Sequence, residues 1–149
     1  MKIIIESEIL NHDFRKVFSE FNESLFKSLN PSFTPLTIKR FDGCDKGDIV
    51  HVLIGKKPFS VTWISEIIDF SQSQDEISFT DVGVTLPFPL KKWEHVHRII
   101  QQGENKTIIR DEMEYKTFCI AIDYLIYPLM QIQFGVRRKK YSQYFNTIE

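Results

Sequence analysis

His95 and His97 lie two residues apart in KKWEHVHRII, with Trp93 just before them, and Asp111 follows in TIIRDEMEY after a short polar break. Three chemistries use such a set. Two imidazoles and a carboxylate are the three protein ligands of an open zinc site. A carboxylate can instead orient a histidine and raise its basicity for acid–base work. The same groups can also form a polar patch in an apolar pocket, fixing one end of a ligand. The metal reading is set aside, because side chains two apart on a strand diverge little and ligands must converge. Catalysis lacks a nucleophile nearby, since Cys44 sits in the turn DGCDKGD and Cys119 near the start of the last helix. Phosphate-binding loops, Gly-x-Ser-x-Gly elbows and HExxH motifs are absent.

These residues must be positioned by strands, where side chains alternate between faces. Trp93, His95, His97 and Ile99 then share one side, and Ile109, Asp111, Met113 and Tyr115 share one side of the following strand. The alternate set, with Arg110, Glu112 and Glu114, is the solvent face. If QQGEN closes the hairpin with Ile99 opposite Thr107, His95 faces Asp111 and His97 faces Ile109. A carboxylate on a concave inner face is costly unless paired, and a neighbouring histidine is the nearest partner.

The remaining elements follow from the changing period. KIIIESEI reads as a strand, and Asn11 or Asp13 offers a helix N-cap. In DFRKVFSEFNESLFKSLNP the apolar residues recur at helical spacings as far as Pro31, with a break near Asn22 that makes two short helices. From Thr34 to Tyr115, short β-favouring runs alternate with DGCDKGD, KKP, SQSQDE and QQGENK, the signature of a meandering antiparallel sheet. After Cys119 the period returns to 3.6 and predicts one long helix, with Tyr127, Met130, Phe134, Tyr141 and Phe145 on one stripe and Ile122, Leu125, Leu129, Ile132 and Val136 on another. Pro128 either kinks that helix or starts it. This α+β plan needs an apolar cover for the inner face of the curved sheet, and only the last helix is long enough to supply it.

Composition bounds the function. A chain of 149 residues suits a single domain spanning 1–149 and buries roughly 70% of its unfolded surface. A net charge of -1 gives no global field toward polyphosphate or anionic membrane, so no nucleic-acid partner is expected. The widely separated Cys44 and Cys119 read as reduced thiols of a cytoplasmic protein. Glu6 and Glu8 interrupt the apolar start before a signal peptide can form, and no run is long enough to span a bilayer. Arg137 to Lys140 read as a solvated turn near the helix C-terminus, where cations complement the helix dipole.

FDGCDKGDIV, WISEI, FTDVGVTLPFPLKKWEHVH, TIIRDEMEY and FGVRRKKYSQYF, in this order, resemble the START-like or SRPBCC superfamily, specifically its small bacterial members grouped with polyketide cyclases and ligand-binding proteins. The resemblance covers nearly the whole chain and implies a helix-grip fold. It departs where such members carry Gly-Pro before the tryptophan, here Leu86-Pro87 with a longer spacer, and Pro-Gly after the tyrosine of the next strand, absent from YKTFCIAI.

The preferred reading is a binding protein without catalysis or cofactor. It takes a hydrophobic or amphipathic small molecule in a cavity of a few hundred cubic ångströms or more between sheet and last helix. Trp63, Trp93, His95, His97, Asp111, Tyr115, Met130 and Phe134 are its candidate lining. The alternative is a cyclase/dehydratase-like or hydrolase-like enzyme using His95 and Asp111 as its catalytic pair, and a third is a nucleic-acid or protein interaction module using RRKKYSQYF.

Overall fold

The computed structural model describes residues 1–148. Strand β1 (Lys2–Leu10) is followed by helices α1 (Phe14–Ser19) and α2 (Glu23–Leu29). Asp13 caps the first through Arg15 N–H, and Asn22 caps the second through the amides of Ser24 and Leu25, so the break between the helices is a capping site. Six further strands follow: β2 (Leu36–Phe41), β3 (Ile49–Ile54), β4 (Val61–Gln72), β5 (Glu76–Thr85), β6 (Leu90–Gln101) and β7 (Lys106–Thr117). All pairings are antiparallel, in the order β1-β7-β6-β5-β4-β3-β2. Register shifts within β4–β5, between Ile64 and Ser65 and between Ile67 and Asp69, are irregularities of the kind that bend a sheet.

Alternation is cleanest at the β1 side, where burial follows every second residue of β1 and β7. The outward residues form ion pairs across strands, such as Lys2 with Glu112 and Lys106 with Glu8. The β6–β7 register differs from the expectation by two residues. Ile99 stands opposite Ile109, His97 opposite Asp111 and His95 opposite Met113. The loop is tighter than QQGEN suggests, with Gln101 already paired to Thr107 and Gly103 at a φ of 82° in the turn, a conformation that suits glycine. An even slip moves the pairs and preserves the faces.

The last helix is not continuous. It runs as α3 (Ile120–Gly135) and α4 (Arg137–Thr147), joined at Val136, and Pro128 lies inside α3, so it does not start the helix. One stripe of α3 turns inward, with Ile126, Tyr127, Met130 and Phe134 against the sheet. The second stripe faces solvent at Leu125, Leu129 and Ile132, which are 77%, 59% and 60% exposed. Only one face of α3 can meet the sheet, and the two stripes are too far apart around the axis for both to be covered.

The interior holds two apolar clusters. One joins α1, α2 and α4 to one end of the sheet through Phe14, Val17, Leu25, Phe79, Ile99, Ile109, Tyr141 and Phe145. The other joins α3 to the opposite end through Ile3, Ile5, Trp93, Met113 and Tyr115. Along β6 the inward residues run Trp93, His95, His97, Ile99, and along β7 Ile109, Asp111, Met113. A polar band therefore crosses the concave face between the two clusters.

Candidate functional site

The band contains Asp81 of β5, His95 and His97 of β6 and Asp111 of β7. His95 Nε2 is 2.9 Å from Asp111 Oδ1, and His97 Nε2 is 3.2 Å from Asp81 Oδ2. Because a carboxylate only accepts, each of these nitrogens carries the proton. His97 Nδ1 lies 3.1 Å from Asp111 Oδ1 but makes no hydrogen bond, and His95 Nδ1 lies 3.6 Å from Asp81 Oδ2. The two rings are 3.6 Å apart between centroids, and Phe79 stacks on His97 at 4.3 Å. Arg137, at the first position of α4, brings its guanidinium 3.7 Å from Asp111 Oδ1 and over the ring of Phe134.

Burial alone would push both carboxyls up, but the surrounding donors outweigh it. Asp81 is lowered chiefly by the hydrogen bond from His97 and the charge of His95, and Asp111 is held well below its usual range by His95, His97 and Arg137. His95 is driven down to about 4 by burial and then by the charge of His97. His97 moves the other way: burial opposes its charge, yet the close carboxylates of Asp111 and Asp81 prevail and raise it. The band thus sets two carboxylates and a guanidinium around two imidazoles driven in opposite directions. Asp111 Oδ2 and the Tyr141 hydroxyl are buried without a hydrogen-bond partner.

A cavity of about 160 Å³ opens beside the band. Phe21 between the short helices, Leu25 of α2, Val52 of β3, Trp63 and Ile67 of β4, and Phe134 of α3 form its apolar wall, while Asp81, His95, His97 and Arg137 form the polar one. The volume is smaller than the few hundred cubic ångströms expected from the sequence. A cavity of about 150 Å³ accommodates one benzene ring.

The predicted lining residues divide. Trp63, Trp93, His95, His97 and Phe134 reach the cavity. Asp111 stands behind the histidines, fully buried. Tyr115 and Met130 lie outside the lining: the Tyr115 hydroxyl donates to the Asp123 carbonyl at 2.7 Å, and Met130 packs on the tryptophan cluster. Asp81, Arg137 and Tyr141 were not among the expected site residues. The solvated-turn reading of Arg137 to Lys140 is corrected: all four lie in the first turn of α4, and the Arg137 side chain is only 13% exposed.

No family model matches the chain, and no curated protein matches it. Solved structures do. Norcoclaurine synthase of Thalictrum flavum, solved as a point mutant with a transition-state analogue, superposes with a TM-score of 0.66 at 12% identity, covering 99% of this chain and 96% of that one. A Mycobacterium smegmatis protein matches with a TM-score of 0.66 at 14% identity over 95% of this chain and 88% of its own. A Staphylococcus epidermidis protein gives 0.66 at 17% over 99% and 91%. The chain has the helix-grip fold. Identities this low carry the architecture and leave the chemistry to the site. No helix among the described residues is long and apolar enough to cross a membrane.

Proposed function

We propose that the protein is a START-like member that binds a small, mainly apolar molecule of about one aromatic ring, its polar end turned to Asp81, His95 and His97. The observation that carries this reading is a cavity apolar on most sides and ionic on one, bordered by the end of α3 and the start of α4. The apolar wall supplies affinity without direction, and the polar band selects orientation. Trp63 and Trp93, 5.0 Å apart and edge to face, both line the cavity and report its occupancy.

4-Ethylphenol and ethylbenzene, which differ by one hydroxyl, test it by calorimetry and tryptophan emission. Both are expected to bind the folded protein at one site, the phenol more tightly, and Val52→Phe is expected to abolish both by filling the space. Absence of binding by either probe to folded wild-type protein refutes the reading.

The opposed behaviour of the two imidazoles supports a second reading, acid–base catalysis on the bound molecule, since groups whose environments drive their pKa values apart can serve as acid and base. His97 would donate and His95 Nδ1 accept. Deuterium exchange at the α-carbons of phenylacetone, followed by NMR, should then be faster with wild-type protein than with His97→Gln.

A further inference from the structure

We propose that Asp81, His95 and His97 form a site for a divalent first-row transition-metal ion, with its open coordination positions facing the cavity. His95 and His97, two apart on β6, do converge, with ring centroids 3.6 Å apart, so only the third ligand is in question. Asp111 is indeed misplaced for that role, because it lies behind both rings and outside the cavity lining. Asp81, on the neighbouring strand, is the carboxylate on the side where the two rings converge.

Three donor atoms meet there. His95 Nδ1 is 3.6 Å and His97 Nε2 is 3.2 Å from Asp81 Oδ2, and the ligand atoms of the three residues all lie within 4.8 Å of one another. Metal–nitrogen and metal–oxygen bonds of 2.0–2.2 Å in a tetrahedron put neighbouring ligand atoms about 3.3–3.6 Å apart. The two distances to Asp81 lie close to that range, so both histidine-to-carboxylate edges already suit an ion.

The surroundings match what a metal-ligating histidine requires. Such a residue donates its other ring nitrogen to a carboxylate, which fixes the ring and raises its basicity as a ligand. His95 does this at 2.9 Å to Asp111, and Arg137 steadies Asp111 from the other side. The remaining coordination positions point where Asp81, His95 and His97 all face, into the cavity. Two histidines and one carboxylate with open positions suit zinc in a catalytic geometry or non-haem iron, and the absence of a thiolate disfavours softer ions. The inference does not depend on the apolar ligand: a metal can bind with the cavity unfilled.

Cobalt(II) is the probe, added to chelator-stripped full-length protein. The expected result is a visible absorption band that saturates at one Co²⁺ per chain and is displaced by Zn²⁺. Asp81→Ala and His97→Ala should each abolish the band, and Asp111→Asn should weaken binding about 10–100-fold. Should those variants fail to fold, the wild-type protein still decides: one saturable band, with a raised melting temperature in Co²⁺ or Zn²⁺, supports the site. Folded wild-type protein that gives no saturable band overturns it, as does a band unchanged in folded Asp81→Ala. Protein that binds 4-ethylphenol but no Co²⁺ overturns the metal and leaves the cavity reading intact; the reverse result does the opposite.

Discussion

His97 stands directly across the ladder from Asp111, yet the hydrogen bond to that carboxylate comes from His95, two residues away on the same strand face. One carboxylate oxygen thus lies within 3.1 Å of both imidazoles and 3.7 Å of a guanidinium, in a place with no access to water. Taking away one partner of a buried ionic set leaves the others charged and unpaired.

Asp111→Ala is therefore expected to cost about 3–5 kcal/mol of stability. Urea unfolding at neutral pH measures it. A loss below about 1 kcal/mol, the value typical of exposed pairs, would show that the band is not held by charge.

Arg137 and Arg138 are neighbours in sequence with opposite fates. Arg137 is turned in over Phe134 toward Asp111, and Arg138 is exposed. Arg137→Ala should lower stability by about 1–3 kcal/mol, through lost packing and an underpaired carboxylate. Arg138→Ala should change it by no more than about 0.5 kcal/mol. Thermal melts of the two variants side by side make the comparison, and equal effects would contradict the geometry.

Both cysteines are free thiols, and they should differ sharply toward alkylation. Cys44 borders the cavity, and burial, followed by the charges of Asp48, Asp45 and Asp81, pushes its thiol up from 9.0 to about 12. Three pH units correspond to about a thousandfold less thiolate at pH 8. Iodoacetamide at that pH should modify exposed Cys119 and spare Cys44, as read by peptide mass spectrometry. The sign for stability follows: a raised folded value favours the fold fully below pH 9 and loses that contribution as pH rises toward 12. Unfolding above pH 9 should accordingly be delayed in Cys44→Ser.

Much of the site is legible in the alternation of two strands. KKWEHVHRII and TIIRDEMEY assign Trp93, His95, His97 and Asp111 to the concave face, and the register error of two residues leaves that assignment intact. Asp81 carries the same kind of signal, because Ile77, Phe79 and Asp81 are in phase within ISFTDVG and the first two are core. A carboxylate in the apolar phase of a strand marks it as inward, but the flanking β-favouring run draws attention to the strand and away from the charge. Arg137 is a different case. Its place, three residues after Phe134 and four before Tyr141, falls on the inward stripe of the helical period, and the run of four cations in RRKK masks that signal. Local pattern reports which residues share a face, and it does not report where two helices are set at an angle by what they cover.

The polar band is sealed along the strands by an apolar cluster on either side, which gives its traffic a direction. Asp81 and the two histidines meet solvent at the cavity. A ring-sized molecule seated there acts as a stopper. If both proposals hold, an ion would exchange only while the ring is away, so the exchange rate of a cation should fall as the ring concentration rises even when its affinity is unchanged.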